Sequence, residues 1–341
     1  MHMVDALLSP TVGLTMIAIS VAVIGASVAK VKEDELSEKK IPVMGVAGAM
    51  VFAAQMINFA IPVTGSSGHI GGGILLAGLL GGVPAFLSIA AVLIIQCLFF
   101  ADGGLLALGC NIFNLGIIPC LVIYPLIFKP LLKNGTDYKR LSRASVVSVV
   151  IGLELGAFCV VLQTLASGIT ELPFGTFLGL MLPIHFAIGL AEGIVTAAVL
   201  CFIYKMCPDI IDSSLSRQRL SISAKKALVA LSLLTVTAGG AFSLFASTNP
   251  DGLEWAIGKT TQKTFGAETS LDAEGTLFDS AASLQEKTAF LPNYTFASDP
   301  DNPAGTSASG LVGAAIVFAL ACIAGLFISK VKRSKKAGPH V

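Results

Sequence analysis

The chain has 341 residues, of which 54% are hydrophobic and 13% are charged, and its mean hydropathy is +0.83. This apolar composition indicates an integral membrane protein and excludes an ordinary soluble domain. The formal net charge is only +1 at pH 7, so the composition gives no indication of a nucleic-acid partner.

The chain contains seven Cys, which form no CxxC pair and are absent from its long polar segment. Most of them lie inside apolar stretches, so we interpret them as small buried hydrophobic residues rather than as disulfides or thiolate ligands. No basic residue precedes the first apolar stretch, and we therefore expect no cleaved signal peptide.

The first apolar stretch runs from about Leu7 or Pro10 to Ala29. The loop behind it, 30–40, is short and rich in Lys. Short Lys-rich loops face the cytoplasm, which predicts that the amino terminus lies outside.

The second apolar stretch, roughly Val43 to Val63, brings the chain back to the outer face. His69 follows it directly, inside a run of glycines from Gly65 to Gly73. This topology therefore predicts that the amino terminus and His69 meet on the same side of the membrane.

The next apolar residues form either one span or two spans separated at Gly81-Gly82. We choose two, from about Gly71 to Leu80 and from Val83 to Ala101, because only then does the later basic loop stay inside. A short, glycine-interrupted span is tolerated where protein surrounds it and often marks the binding region of a transporter.

The remaining spans are expected to alternate so that every basic loop and the basic C-terminus are cytoplasmic. The prediction is an all-α integral membrane protein: a helical bundle of about seven spans in 1–222, then a two-span unit in 223–341 around a polar outer segment, 247–309. Strand content and disorder are both left open for that segment. The further spans run to about Leu132, then over Ser145–Leu165, Leu178–Tyr204, Ala227–Ala246 and Leu311–Ile328.

Met1 and His2 form a candidate metal-binding group with His69. Imidazole is the commonest transition-metal ligand among side chains. The free amine of Met1, the amide nitrogen of His2 and its imidazole can hold one ion in fused chelate rings, with His69 in the fourth position. Square-planar nitrogen ligation suits Ni(II) or Cu(II). The alternative is that His2 is an incidental surface residue and His69 a structural one.

Other polar residues in or near the spans have structural alternatives as well. His185 and Glu192 lie on one face of a predicted helix, and pairing inside the bundle is the more usual role of such residues. Glu154 either pairs in the bundle or faces a cavity. Residues that are candidates to surround the metal ligands, or to satisfy freed backbone groups, are Ser67, Asp102, Asn111, Asn114 and His185.

Two stripes of small residues recur at a spacing of four and allow close approach of membrane helices. Packing within the chain is one interpretation, and docking onto a membrane partner is the other. The first stripe is Ala18, Ala22 and Ala26, and the second is Gly45, Ala49 and Ala53.

These motifs together resemble the CbiM/NikM family, the substrate-capture components of nickel and cobalt energy-coupling-factor transporters. The resemblance covers roughly 1–205 and is carried by the residues of 1–10 and 65–69, by 102–104 with 111–114, and by 183–185 with 189–193. The motif Pro-Asp-Gly-Leu-Glu at 250–254 resembles the auxiliary CbiN/NikN-type component, here fused behind the first unit.

The resemblance implies that Met1, His2 and His69 bind the transported Ni(II) or Co(II). It also implies a transmembrane coupling subunit and cytoplasmic ATPase subunits as partners, which agrees with the absence of a GxxxxGK[ST] motif from this chain. Three rival functions are weighed at this point: a structural or assembly membrane protein without metal affinity, an intramembrane metalloenzyme, and a secondary transporter driven by ions, whose usual sign, paired repeat halves, is not seen in the sequence. The second is disfavoured because the chain has no HExxH motif.

Overall fold

A computed structural model of the chain describes residues 2–31, 36–37, 39–218, 220, 224–267, 275–299 and 302–337. Within these residues, seven helical stretches are long and apolar enough to cross a membrane. The prediction of an all-α membrane protein is confirmed. The long stretches are Pro10–Lys30, Gly82–Phe100, Leu108–Leu132, Tyr138–Ser167, Phe174–Met206, Lys225–Phe245 and Ala304–Val331.

The first unit begins with a 3₁₀ turn, Asp5–Leu7, and the helices α1 (Pro10–Lys30) and α2 (Lys40–Gln55). The expectation that the second span continues to Val63 is wrong, because α2 ends at Gln55. The chain then forms an antiparallel hairpin of β1 (Phe59–Ile61) and β2 (Ser66–Gly68). Its turn contains Gly65 with φ 74°, a left-handed conformation that glycine adopts without strain.

The predicted break in the following apolar stretch is confirmed. Helix α3 spans Gly73–Leu80 and α4 spans Gly82–Phe100, and Gly81 between them has φ 88°. All residues of α3 are buried within the protein, as a short membrane segment requires. The break thus produces a helix that is surrounded by other parts of the chain.

The third long stretch is not uniformly α-helical. It starts as α5 (Leu108–Ile112), continues as a π-helix over Phe113–Phe128 and ends as α6 (Lys129–Leu132). Pro119 and Pro125 lie inside the π-helical part. Proline removes a backbone donor and disturbs the regular α-helical ladder, which gives a physical reason for the wider turn.

Helices α7 (Tyr138–Ser167) and α8 (Phe174–Met206) lie side by side, and the short α9 (Pro208–Ser216) follows. Glycine permits this close approach: a Cβ on Gly193 would lie 2.9 Å from the Cα of Val146. Pro183 lies within α8. Both helices are longer than their predicted spans: α7 begins with the polar residues 138–144, and α8 gains residues 174–177 and 205–206.

The second unit contains α10 (Lys225–Gly240), a 3₁₀ turn (Phe242–Phe245), α11 (Gly252–Phe265), α12 (Thr276–Thr288), a 3₁₀ turn (Pro292–Tyr294) and α13 (Ala304–Ala337). The described part of the outer segment is thus mainly helical. The predicted boundary at 222 and 223 falls at residues outside the described ones, and Met1 lies outside them too.

The two stripes of small residues differ in their surroundings. Gly45 faces α13 so closely that a Cβ there would lie 2.6 Å from Sγ of Cys322, and a Cβ on Gly239 of α10 would lie 3.3 Å from that of Ala53. The stripe of Gly45, Ala49 and Ala53 is buried and packs inside the chain, so it is not available to a partner. Ala18, Ala22 and Ala26 are exposed along α1.

Candidate functional site

The amino-terminal segment is threaded into the protein. The backbone N–H of Met3 donates to Oδ1 of Asn111 at 2.8 Å, and Nδ2 of Asn111 donates back to the Met3 carbonyl at 3.2 Å. The side chains of Met3 and Leu7 are 0% exposed. Asn111, predicted near the metal ligands, therefore fixes the backbone that follows His2.

Two glycines make room for this segment. A Cβ on Gly104 would lie 1.8 Å from Oδ1 of Asp5, and one on Gly103 would lie 2.8 Å from Nδ2 of Asn111. Gly103 also has φ 78°, which favours glycine. The Asp-Gly-Gly run at 102–104 is thus required for the position of the amino-terminal segment.

His2 is buried, and its Nδ1 lies 3.2 Å from Oδ1 of Asp102. The other oxygen of Asp102 accepts a hydrogen bond of 2.5 Å from the hydroxyl of Tyr294. Burial alone would raise the pKa of Asp102, but the neighbouring His2 and Tyr294 lower it to about 2. Asp102 is therefore an anion that orients the ring of His2.

The imidazoles of His2 and His69 lie against each other. Their ring centroids are 5.2 Å apart and the ring planes differ by 11°. Nε2 of His2 is buried and has no hydrogen-bond partner in the described part of the chain. The structure thus brings together two of the three predicted metal ligands, and Met1 lies outside the described residues.

The loop behind His69 is held from two sides. The carboxylate of Glu192 accepts hydrogen bonds from the amides of Gly71, at 2.8 Å, and Gly72, at 2.9 Å. The carbonyl of Gly71 accepts one of 3.1 Å from Nε2 of Gln55. Glu192 therefore has a specific contact with the His69 loop.

The second unit joins the hairpin that precedes His69. The N–H of Ser67 donates to the carbonyl of Pro250 at 2.8 Å, and its Oγ donates to that of Asn249 at the same distance. Nε1 of Trp255 donates to the carbonyl of Thr64 at 2.9 Å. Ser67 remains a predicted neighbour of the metal ligands, and in the structure it attaches the second unit to the first.

Asp251 caps helix α11. Its Oδ1 accepts from the amides of Leu253 and Glu254, both at 2.8 Å, and the Glu254 side chain accepts from the Asp251 amide in a capping box. Burial would raise the pKa of Asp251, but the positive amino terminus and the hydrogen bond from the Glu254 amide lower it. Asp251 is thus an anion next to the imidazole pair.

A cavity of about 530 Å³ opens beside these residues, and both units line it. His2, His69 and Asp102 come from the first unit and Asp251 and Glu254 from the second. Burial lowers the pKa of His69 to about 3, with the positive charges of the amino terminus and His2 acting in the same direction. The ring of His69 is therefore neutral at physiological pH, as a metal ligand must be.

Sequence reasoning missed several residues that build this site. Gln55 and Gln96 are polar residues within apolar helices, and Nε2 of Gln96 donates to Oε1 of Gln55 at 2.9 Å; their isolation in apolar sequence is a signal. Tyr294 carried no such signal, because it lies in the polar segment, whereas Trp255, the single Trp of the sequence, directly follows the Pro-Asp-Gly-Leu-Glu motif. Within the described residues, no three His, Cys, Asp or Glu side chains form a ready metal cluster.

Fold and site together define a multi-pass membrane protein with two imidazoles and several carboxylates facing a cavity. Residues 2–210 match the family model "Cobalt uptake substrate-specific transmembrane region", CbiM, and residues 225–330 match the PDGLE domain. The chain belongs to this CbiM family of metal transport proteins, with a PDGLE domain joined to it.

Relatives of known name agree with this assignment. The chain is 33% identical over 324 residues to a putative fused nickel transport protein NikMN of Archaeoglobus fulgidus, covering 94% of this chain and 96% of the relative. It is 31% identical over 221 residues to a putative cobalt transport protein CbiM of Methanocaldococcus jannaschii, covering 62% and 90%.

A solved structure is similar as well. The crystal structure of a truncated transition metal transporter superposes with a TM-score of 0.53 at 27% identity, covering 60% of this chain and 99% of that one. The matched part is close in extent to the first unit. The comparisons therefore support transition-metal transport as the class of function.

Proposed function

We propose that this chain captures nickel or cobalt at the outer face of the cell membrane and delivers it inward as the substrate-binding part of an ATP-driven energy-coupling-factor importer. The observation that carries the proposal is the stacked pair of His2 and His69 beside a cavity that both units line. The amino terminus is outside and the C-terminus cytoplasmic, as the basic loops favour.

The ligands are the Met1 amine, the amide and imidazole nitrogens of His2, and the imidazole of His69. In the structure Nδ1 of His2 faces Asp102 at 3.2 Å, so chelation through Nδ1 requires the cation to replace that contact. Because His69 is already neutral, it releases no proton on binding, and any protons released come from the other nitrogens of the set. Four nitrogens suit Ni(II), and imidazole also binds Co(II).

Partners of this chain supply the energy. The sequence has no GxxxxGK[ST] motif, so ATP is hydrolysed by cytoplasmic ATPase subunits, linked through a transmembrane coupling subunit. The exposed stripe of Ala18, Ala22 and Ala26 on α1 is the candidate docking surface for the coupling subunit, because the other small-residue stripe is already covered.

The test is the metal affinity of the purified full chain with its native amino terminus. We expect one tightly bound equivalent of nickel or cobalt. Tight binding is lost in His2→Ala, in His69→Ala and in a chain extended by residues before Met1. His340→Ala serves as a matched control that also removes one imidazole.

The absorption spectrum of bound Ni(II) reports its geometry, and a square-planar spectrum is expected. A native chain that binds no metal, or that binds it equally well after all three changes, would return both His residues to structural roles. Uptake by cells that carry only the extended chain would contradict the role of the free amine.

A further inference from the structure

His185 on α8 has one nitrogen engaged and one unused. Its Nδ1 lies 2.8 Å from the carbonyl oxygen of Met181. Because a carbonyl can only accept, Nδ1 carries the proton and Nε2 carries the lone pair. Nε2 is buried and has no hydrogen-bond partner within the described residues. Metal-binding imidazoles typically donate their other N–H to a backbone carbonyl in this way.

The unused nitrogen belongs to a side chain that lines a small cavity. The cavity is about 10 Å³, which is roughly the space needed for one water molecule. Among the described residues, the polar side chains that line it are those of His69, His185 and Asp251. Two potential nitrogen donors and one carboxylate therefore surround a space of the right size for a single small ligand.

The glycine of the PDGLE motif allows this arrangement. A Cβ on Gly252 would lie 3.2 Å from Cε1 and 3.4 Å from Nε2 of His185. Because Gly252 has no side chain, the backbone of the second unit lies directly against the imidazole, and the carboxylate of Asp251 reaches the same cavity. The small cavity is thus formed by both units.

The small cavity adjoins the larger one at shared side chains. His69 and Asp251 line both. A further small cavity shares Gly71 with it and is lined by Glu192. The three cavities thus adjoin one another through shared residues, and His185 and Glu192 both belong to α8.

We propose that Nε2 of His185 and the carboxylate of Asp251 form a transfer site, which takes a divalent nickel or cobalt cation from the His2–His69 pair before it moves inward. The inference rests on the proposed function. His69 takes part in both sites by rotating its ring, since no three such side chains of the described chain yet surround one point. The carboxylate of Asp251 compensates the charge of the cation.

The test uses the full chain extended before Met1, in which the capture site is disabled, and Co(II) as the spectroscopic probe. We expect weak binding of one Co(II), with a spectrum of mixed nitrogen and oxygen ligands. In this background, His185→Asn and Asp251→Asn each weaken binding at least tenfold. Asn at 185 retains a donor for the Met181 carbonyl but lacks Nε2, and Asn at 251 still caps α11.

Glu286→Gln is the matched control, because Glu286 is an exposed carboxylate of the same unit that lines neither cavity; it should change the affinity less than twofold. In the chain with its native amino terminus, His185→Asn should leave the tight affinity within threefold and slow uptake at least tenfold.

Three results would overturn the transfer site. The first is an extended chain that binds no Co(II). The second is Co(II) binding by the extended chain that His185→Asn does not weaken. The third is a tenfold loss of the tight affinity of the native chain in His185→Asn, which would make His185 part of the capture site. A native chain without any tight metal would instead overturn the proposed function itself.

Discussion

The carboxylate of Glu192 accepts a hydrogen bond of 2.8 Å from the backbone amide of Gly71, two residues after His69. Its second oxygen accepts one of 2.9 Å from Gly72. Because both oxygens act as acceptors, the arrangement suits an ionised carboxylate. Helix α8 therefore fixes the backbone next to one of the predicted metal ligands.

Glu192→Gln should weaken nickel binding about tenfold, equivalent to ~1.4 kcal/mol. The amide group of Gln offers an N–H to one of the two backbone N–H groups, so one hydrogen bond is lost and the loop that carries His69 shifts. Hydrogen bonds to charged groups contribute about 1.5–3 kcal/mol. The measurement is the nickel affinity together with the spectrum of the bound ion, which reports the position of the His69 ring.

Glu154→Gln is the control for that substitution. Glu154 is also a carboxylate in a long apolar helix, α7, and its Oε1 has no hydrogen-bond partner in the described chain. The Glu154→Gln substitution should leave both the nickel affinity and the spectrum of the bound ion unchanged. An equal loss in the two variants would show a general effect of membrane carboxylates, not a role for Glu192 in positioning His69.

Gly104→Ala should prevent the amino-terminal segment from reaching its position. A Cβ there would lie 2.5 Å from the backbone nitrogen of Asp5. Because backbone cannot rotate aside as the tip of a side chain can, the segment that carries His2 must move. We expect the metal affinity to fall at least a hundredfold because the chelating groups are displaced. This corresponds to a loss of about 2.7 kcal/mol in binding free energy.

Gly25→Ala on α1 is the matched control for Gly104→Ala, because a Cβ on Gly25 meets nothing within 4 Å. Titration of both purified variants with nickel compares them directly. Similar affinities would mean that the Asp-Gly-Gly run does not govern the amino-terminal segment.

Much of the fold could be predicted, because apolar length and basic loops determine the spans. The break between α3 and α4 followed from Gly81-Gly82, and the proximity of His2 and His69 followed from the topology. The hairpin of β1 and β2 could not be predicted, because the apolar residues Phe59–Ile61 continue the apolar pattern of α2. Only their pairing with Ser66–Gly68 makes them a strand.

The sequence also did not predict that the second unit contacts the candidate site. The PDGLE motif was visible, but its contact with Ser67 joins residues far apart in the chain, and no local pattern encodes such a contact. His185 and Glu192 share a helical face, which made pairing within the bundle the simpler interpretation. In the structure, Glu192 accepts a hydrogen bond from the His69 loop, and His185 lines a cavity together with Asp251.

Acid should destabilise the metal-free chain through His69. Burial lowers the pKa of His69 to about 3, below its ordinary value of 6.5. Between these values the unfolded chain binds the proton and the folded chain does not, so stability falls as the pH decreases from about 6.5 toward 3. The melting temperature of the wild type should therefore fall more between about pH 7 and pH 4.5 than that of His69→Gln.

Thermal unfolding at a series of pH values tests this, with a chelator present to keep the chain free of metal. His340→Gln should retain the pH dependence of the wild type. If His69→Gln shows the same slope as the wild type, the ring of His69 does not avoid protonation in the folded state.

Larger side chains in the two small-residue stripes should have different consequences for the stability of the chain. Gly45→Leu should lower the thermal stability of the chain, because even a Cβ at Gly45 would lie 2.6 Å from Sγ of Cys322 on α13. Overpacking of this kind costs about 1–3 kcal/mol. Ala22→Leu should leave stability and metal affinity unchanged, since Ala22 is exposed on α1.

Ala22→Leu should nevertheless reduce nickel uptake at least tenfold in cells that supply the coupling and ATPase subunits, because close approach of a partner helix requires small residues. Val21→Leu is the control. Val21 is 62% exposed on the same helix, but it points about 100° away from Ala22. The Val21→Leu variant should therefore take up nickel normally. Normal uptake by Ala22→Leu would exclude this stripe as the docking surface. A loss of metal affinity in Ala22→Leu would instead attribute the defect to the capture site, so both quantities are measured on each variant.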